Sequence, residues 1–149
     1  MAQTYTRLLY HIVFSTKNRE PWIDPVWRPD LHAYIGGIIR NRKGELLAAG
    51  GVPDHIHLLV RLAADKAVSD VVGAIKSVTS GWLHDERGIW PFAWQGGYGA
   101  FTLGPSAIPS VTTYIDNQIE HHATTDFRTE YVELLKRHEV EYDERYLWE

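Results

Sequence analysis

The apolar and polar positions alternate most tellingly in Val52-Pro53-Asp54-His55-Ile56-His57-Leu58-Leu59-Val60, with Arg61 and Leu62 continuing the pattern. Successive strand side chains point to opposite faces. His55, His57, Leu59 and Arg61 therefore share one face of a strand entered through a Gly-Gly-Val-Pro turn. Ile56, Leu58, Val60 and Leu62 share the other, which is wholly aliphatic and suits burial under helices.

The remaining pattern predicts the elements around that strand. Residues 5–16 are rich in β-branched and aromatic side chains and read as a strand. Lys17 to Pro29 holds three prolines and reads as a loop. Asp30 is placed to cap a helix running to about Arg42, with Leu31, Tyr34, Ile35, Ile38 and Ile39 as its apolar stripe; Lys43-Gly44 ends it. Residues 45–51 form a short strand that turns at Gly50-Gly51 and pairs with the His-x-His strand. Ser69 is placed to cap a second helix through about Asp85, with Val71, Val72, Ile75, Val78, Thr79 and Trp82 as its stripe. Lys76 lies off that stripe, free to face a ligand or water. An aromatic, glycine-rich connection over 88–97 leads to a strand from about Tyr98 to Leu103. The order β-α-β-β-α-β specifies an α+β fold, the ferredoxin-like split β-α-β antiparallel sheet, with helices on one face and the other face free. By elimination His55 and His57 lie on the free face.

After Gly104-Pro105-Ser106 the spacing predicts a third helix, from about Ala107 to Ala123, with Pro109 in its first turn. At 100° per residue, Ile108, Val111, Ile115 and Ile119 form one stripe. Tyr114, Gln118 and His121 lie on an adjoining face, within about 60° of arc. Residues 126–149 read as an acidic helical tail that packs through Tyr131, Leu134 and Leu135 and carries i,i+4 charge pairs from Glu130 onward.

Composition narrows the classes. The chain has 149 residues, 44% apolar and 23% charged, which suits one globular domain over residues 1–149. It has no cysteine, so disulfides and thiolate metal sites are excluded. No apolar run reaches the roughly 20 residues that span a bilayer; a cytoplasmic protein without a membrane partner is expected. The net charge of −4 argues weakly against nucleic acid, but the charge is uneven. Residues 101–149 carry four basic and ten acidic side chains, whereas residues 1–50 carry seven and four. Arg7, Lys17, Arg19, Arg28, Arg40, Arg42 and Lys43 build a basic surface able to meet phosphates, or simply a solvated one.

The candidate chemistry lies in the histidine pair and the third helix. Two imidazoles about 6–7 Å apart along a strand can hold one divalent ion. Taken singly, each feature has a plain structural reading: surface or core histidines, an amphipathic Tyr114 at the edge of a packed stripe, a surface amide at Gln118. The combination is what points to chemistry. Gly51-Val52-Pro53-Asp54-His55-Ile56-His57-Leu58-Leu59-Val60, Trp94-Gln95-Gly96-Gly97-Tyr98-Gly99-Ala100-Phe101 and Tyr114-Ile115-Asp116-Asn117-Gln118-Ile119-Glu120-His121-His122 together resemble the single-tyrosine HUH transposases of the insertion-sequence 200/605 class. The resemblance runs from the first strand to the tyrosine helix.

The resemblance implies that His55, His57 and Gln118 bind a divalent ion, Mg²⁺ or Mn²⁺, and that Tyr114 is the nucleophile. It implies a homodimer, in which the tyrosine helix of one subunit can complete the other's metal site. It also implies action on single-stranded DNA at hairpin ends of a mobile element. The residue types agree with that chemistry. A free phenol, with a pKa near 10, is a weak nucleophile at neutral pH, and a metal ion can offset charge on the reacting phosphate. A covalent phosphotyrosine conserves the bond for rejoining. Two alternatives stand beside this reading: a non-catalytic single-stranded nucleic-acid-binding module, and a metal-dependent phosphodiesterase that uses water. Asp54 receives no ligand role, although it could support the pair from outside the metal, and His11, His32, His84 and His138 receive no assignment. Trp90, Phe92, Trp94 and Tyr98 could stack on unpaired bases, although the pattern favours a satellite cluster of core and dimer contacts.

Overall fold

The computed structural model describes residues 2–149. Its strands are β1 (Leu8–Ser15), β2 (Glu45–Val52), β3 (His55–Leu62) and β4 (Gly99–Thr102), in the sheet order β2-β3-β1-β4. All neighbours pair antiparallel. The helices are α1 (Arg28–Asn41), α2 (Val68–Asp85), α3 (Ile108–Asp116), α4 (Gln118–His121) and α5 (Phe127–Arg137). This is the expected α+β, split β-α-β sheet. Among the described residues no helix is long and apolar enough to cross a membrane.

Alternation along β1 and β3 divides the core as the sequence predicts. Ile12, Phe14, Ile56, Leu58, Val60 and Leu62 pack under α1 and α2, against Leu31, Ile35, Ile39, Val71, Val72, Ile75 and Leu83. Each such aliphatic side chain, removed from water, contributes about 1.5–3 kcal/mol. Phe92 and Trp94 belong to this core, and the Trp94 indole N–H donates to Thr79 Oγ1 at 3.0 Å. Those two rings are therefore not available to bases, whereas Trp90 is exposed and stacks on His84.

The helix starts differ from expectation. α1 begins three residues early, at Arg28-Pro29 with Trp27 in the cap position, because proline is preorganised for a first turn that needs no N–H. Asp30 then lies inside that turn and pairs with Arg87 at 2.6 Å instead of capping. α2 likewise begins at Val68, so Ser69 is not its cap. Within α2, Lys76 is not free: its ammonium donates to the carbonyls of Gln95 (2.9 Å) and Gly97 (2.6 Å), tying the aromatic connection to the helix.

The larger difference concerns the second face of the sheet, which is covered. Val13 and Phe101 form a second core with Phe127, Tyr131, Leu134 and Leu135 of α5. Asp126 caps α5 by accepting from the Thr129 N–H at 2.9 Å, and the helix ends at Arg137, where Glu139 takes a left-handed φ of 56°. The acidic tail is thus helical only over its first part. The rest folds back until Trp148 packs against Phe127 and Tyr131. The third predicted helix is broken too. α3 stops at Asp116, Asn117 leaves helical geometry (φ −96°, ψ 19°), and α4 is one short turn. Of the four predicted stripe residues only Ile115 is buried; Ile119 is 62% exposed.

Candidate active site

β3 carries the histidines into the middle of the sheet. The register sets His57 opposite Val13 of β1 and Gly50 of β2, and His55 opposite Ser15 and Val52. Both imidazoles are fully buried, because α3 to α5 lie over this face. α3 can approach so closely because residue 50 is glycine: a Cβ there would stand 2.2 Å from the Ile115 carbonyl oxygen. That contact brings Tyr114 and Gln118 over the histidines. The Asn117 break turns Gln118 inward, and it is 1% exposed.

All four residues singled out from the sequence therefore meet within one chain. Gln118 Oε1 lies 3.2 Å from His55 Nε2, while its amide Nε2 donates to the Tyr114 carbonyl at 3.3 Å. The Tyr114 ring stands edge-on to His57, with centroids 5.6 Å apart. The group that joins them is Glu130 of α5, only 1% exposed. Its Oε1 is 2.9 Å from His57 Nε2, 3.0 Å from His122 Nε2 and 3.3 Å from His55 Nε2. Its Oε2 accepts the hydrogen bond of the Tyr114 hydroxyl.

Two further residues fix the imidazoles from behind. Asp54 Oδ1 lies 2.7 Å from His55 Nδ1, so the carboxylate accepts the Nδ1 proton and His55 presents Nε2 inward. His11 Nε2 is 2.8 Å from His57 Nδ1 and performs the same service there. Such outer partners set tautomer and ring orientation at metal-ligating histidines.

The electrostatics follow from burial and this one carboxylate. Burial pushes Glu130 upward, but the hydrogen bonds from His122, His55 and His57 outweigh it and hold the carboxyl well below its usual range. Burial lowers His57 to about 4 and His11 to about 3, so both are neutral near pH 7. Burial also lowers His55, yet its hydrogen bonds to Asp54 and Glu130 raise it overall. Burial, followed by the bond to Glu130, raises the Tyr114 phenol above its ordinary value, so its proton is firmly held.

The donor set suits a divalent cation. With the His55 proton on Nδ1, its Nε2 lone pair faces two acceptors, Gln118 Oε1 and Glu130 Oε1. Three acceptors turned toward one another repel unless a cation or an extra proton lies between them. In addition, His121 Nε2 is buried with no hydrogen-bond partner among the described residues, 3.3 Å from Glu130 Oε2. Two clefts reach the cluster. One, of about 490 Å³, is lined by Tyr114, Ser110, Arg137 and His138; the other, of about 500 Å³, by Arg19, Asp54 and His122.

Sequence reasoning missed Glu130, His122 and His11, and left a supporting role for Asp54 open without assigning it. Two signals could have found the first and third. Glu130 interrupts an apolar stripe formed by Phe127, Tyr131, Leu134 and Leu135, and alternation along β1 puts His11 on the face of Val13, the register partner of His57.

Comparison with known proteins gives concordant results. Residues 4–118 match the protein family described as IS200-like transposase. The transposase for insertion sequence element IS200 from Salmonella typhimurium strain LT2 is 28% identical over 130 residues, which cover 80% of this chain and 82% of that protein. Its counterpart from Salmonella typhi aligns with the same figures. Among solved structures, a candidate transposase from Deinococcus radiodurans R1 superposes with a TM-score of 0.62 at 22% identity, covering 79% of this chain and 96% of that one. A REP-associated tyrosine transposase bound to a REP hairpin gives 0.57 at 19% identity, covering 77% and 68%.

Proposed function

Because this chain belongs to the IS200-like transposase family, we propose that it cuts and rejoins single-stranded DNA through Tyr114, with a divalent cation held by His55, His57 and Gln118. The observation that carries this reading is the convergence of a phenol hydroxyl and the inward-facing imidazoles on one buried carboxylate, that of Glu130. In the reaction the Tyr114 oxygen bonds to the scissile phosphorus and the bond from phosphorus to the 3′-oxygen breaks. The phenol proton leaves along its hydrogen bond to the Glu130 carboxylate, and the leaving oxygen takes a proton from solvent to become a free 3′-hydroxyl. The 5′ end stays on the protein as a phosphotyrosine diester, and attack by another 3′-hydroxyl reverses the exchange.

The chain's own residues prepare this step. Asp54 and His11 hold the imidazoles in orientation. The Glu130 bond aims the phenol oxygen at the cluster. Arg137, beside Tyr114 in its cleft, and Arg19 in the other offer cationic contacts for a phosphodiester backbone. When bound, the cation would polarise the phosphate and offset the charge that develops on it.

The structural neighbour bound to a REP hairpin supports hairpin DNA as the partner. A homodimer belongs to the same reading and is measured by sedimentation, although Tyr114 already reaches the histidines of its own chain. The decisive experiment incubates the protein with labelled single-stranded DNA carrying the palindromes that flank its gene, in Mn²⁺, and looks for a denaturation-resistant protein–DNA adduct. The adduct is expected from the parent, and not from Tyr114→Phe or after chelation. An adduct that persists in Tyr114→Phe removes the assignment. Tight binding without any adduct favours a non-catalytic module. Free 5′-phosphate product made equally well by Tyr114→Phe favours a water-using phosphodiesterase.

A further inference from the structure

We propose that His122 and Glu130 complete the cation site begun by His55 and His57, and that the finished donor set selects a transition-metal ion over Mg²⁺. Both residues come after the family-matched stretch, which ends at residue 118. They arrive by a separate route: His122 at the end of α4, Glu130 from the buried stripe of α5.

The geometry is that of ligands gathered round one point. His55, His57, His122 and Glu130 each offer one atom, and all four atoms lie within 4.8 Å of one another. Ligands about 2.1 Å from a common ion lie about 3–3.5 Å apart, and Glu130 Oε1 is 2.9, 3.0 and 3.3 Å from the three Nε2 atoms. The side chains are 0%, 0%, 8% and 1% exposed, so water does not satisfy them. Hydrogen bonding satisfies them incompletely, because Glu130 Oε1 is the common neighbour of all three imidazoles. One carboxylate oxygen has two lone pairs and cannot accept fully from three imidazoles.

The chemistry of the donors sets the preference. Three imidazole nitrogens, one carboxylate and the Gln118 amide oxygen make a nitrogen-rich set. Mg²⁺ takes oxygen ligands and dehydrates reluctantly, whereas Co²⁺, Ni²⁺ and Zn²⁺ bind imidazole well. A shared ion would also tie α5 to β3, making the C-terminal segment part of the site and not only its cover.

This inference rests on reading the histidine pair as a cation site. Its test uses the full chain without DNA, so its failure would leave adduct formation at Tyr114 to be judged separately. Co²⁺ titration is followed by visible absorption and calorimetry, with Mg²⁺ as competitor. Co²⁺ is expected to bind at least about 100-fold more tightly than Mg²⁺. Glu130→Gln and His122→Ala are each expected to weaken Co²⁺ binding by about 10-fold or more, with unchanged far-UV circular dichroism. Parent-like affinity in both variants, or equal affinity for Mg²⁺, overturns the proposal. A second measurement needs no substitution: on Zn²⁺ addition to ¹⁵N-histidine-labelled protein, the Nε2 resonances of His55, His57 and His122 should all shift. Movement of the first two alone also overturns it.

Discussion

The hydroxyl of Tyr114 donates to the carboxylate of Glu130, 16 residues further along the chain, and so links α3 to α5 across the second face of the sheet. A hydrogen bond to a charged partner contributes about 1.5–3 kcal/mol. Tyr114→Phe should therefore lower stability by about that amount, read as a lower midpoint in urea with an unchanged slope. Glu130→Ala should cost more, about 3–5 kcal/mol, because it removes the buried carboxylate that His55, His57, His122 and the Tyr114 hydroxyl share. If Tyr114→Phe matches or exceeds the parent midpoint, the link between the helices carries no stability.

Gly50 determines whether α3 can lie on β2 at all. A methyl group there would meet the Ile115 carbonyl oxygen at 2.2 Å, and backbone on both sides leaves little room to yield. Gly50→Ala should cost about 1–3 kcal/mol and should reduce adduct yield by displacing the turn that carries Tyr114. Gly73→Ala in α2 is the control, because among the described residues nothing beyond its own turn of helix lies within 4 Å of its added carbon; helix propensity predicts a gain of about 0.5–1 kcal/mol there. Thermal melts of both variants, run beside the adduct assay, separate crowding at one glycine from a general intolerance of alanine.

The sheet was legible because alternation is a local signal. Ile56, Leu58 and Val60 announce a buried face whatever surrounds them, and β1 and β3 needed only that. The site was half legible. His55, His57, Tyr114 and Gln118 stand in patterns with a chemical reading, whereas Glu130 sits among acidic residues that look like a solvated tail. What hid it was tertiary: α5 turns its apolar stripe, with Glu130 inside it, onto a sheet face that strand order alone leaves free. The helix break at Asn117 was hidden for a related reason. Periodicity ran on through Ile119, and docking against Gly50 overrides it.

Cation binding should stabilise the fold by linkage. If the histidines and Glu130 bind an ion only when folded, free ion at 100 times its Kd adds about 2.7 kcal/mol, visible as a Co²⁺-dependent rise in Tm. Asp54→Asn keeps a side chain of the same shape beside His55 but weakens the acceptor of its Nδ1 proton. Loss of such an outer partner costs about 10–100-fold in metal affinity. The Asp54→Asn curve of Tm against Co²⁺ should accordingly shift to higher Co²⁺ by about one to two decades, with the slope of its rising limb unchanged. Coincident parent and variant curves would falsify a positioning role for Asp54.

Acid should destabilise the protein through its buried neutral histidines, and His32 offers a test outside the cluster. Burial, then the nearby Arg28, lowers its pKa from 6.5 to about 4. The unfolded chain therefore takes up the proton first as pH falls, and stability drops between about pH 6.5 and pH 4, then levels off below. His11 at about 3 and His57 at about 4 act in the same direction, so the parent's acid limb will not vanish when His32 alone is replaced. The informative quantity is the difference between parent and His32→Gln in urea unfolding at a series of pH values. Above pH 7 that difference should be constant. Between pH 6.5 and 4 it should move in favour of the variant by about 1–3 kcal/mol. A pH-independent difference would mean that His32 is protonated equally in the folded and unfolded chains.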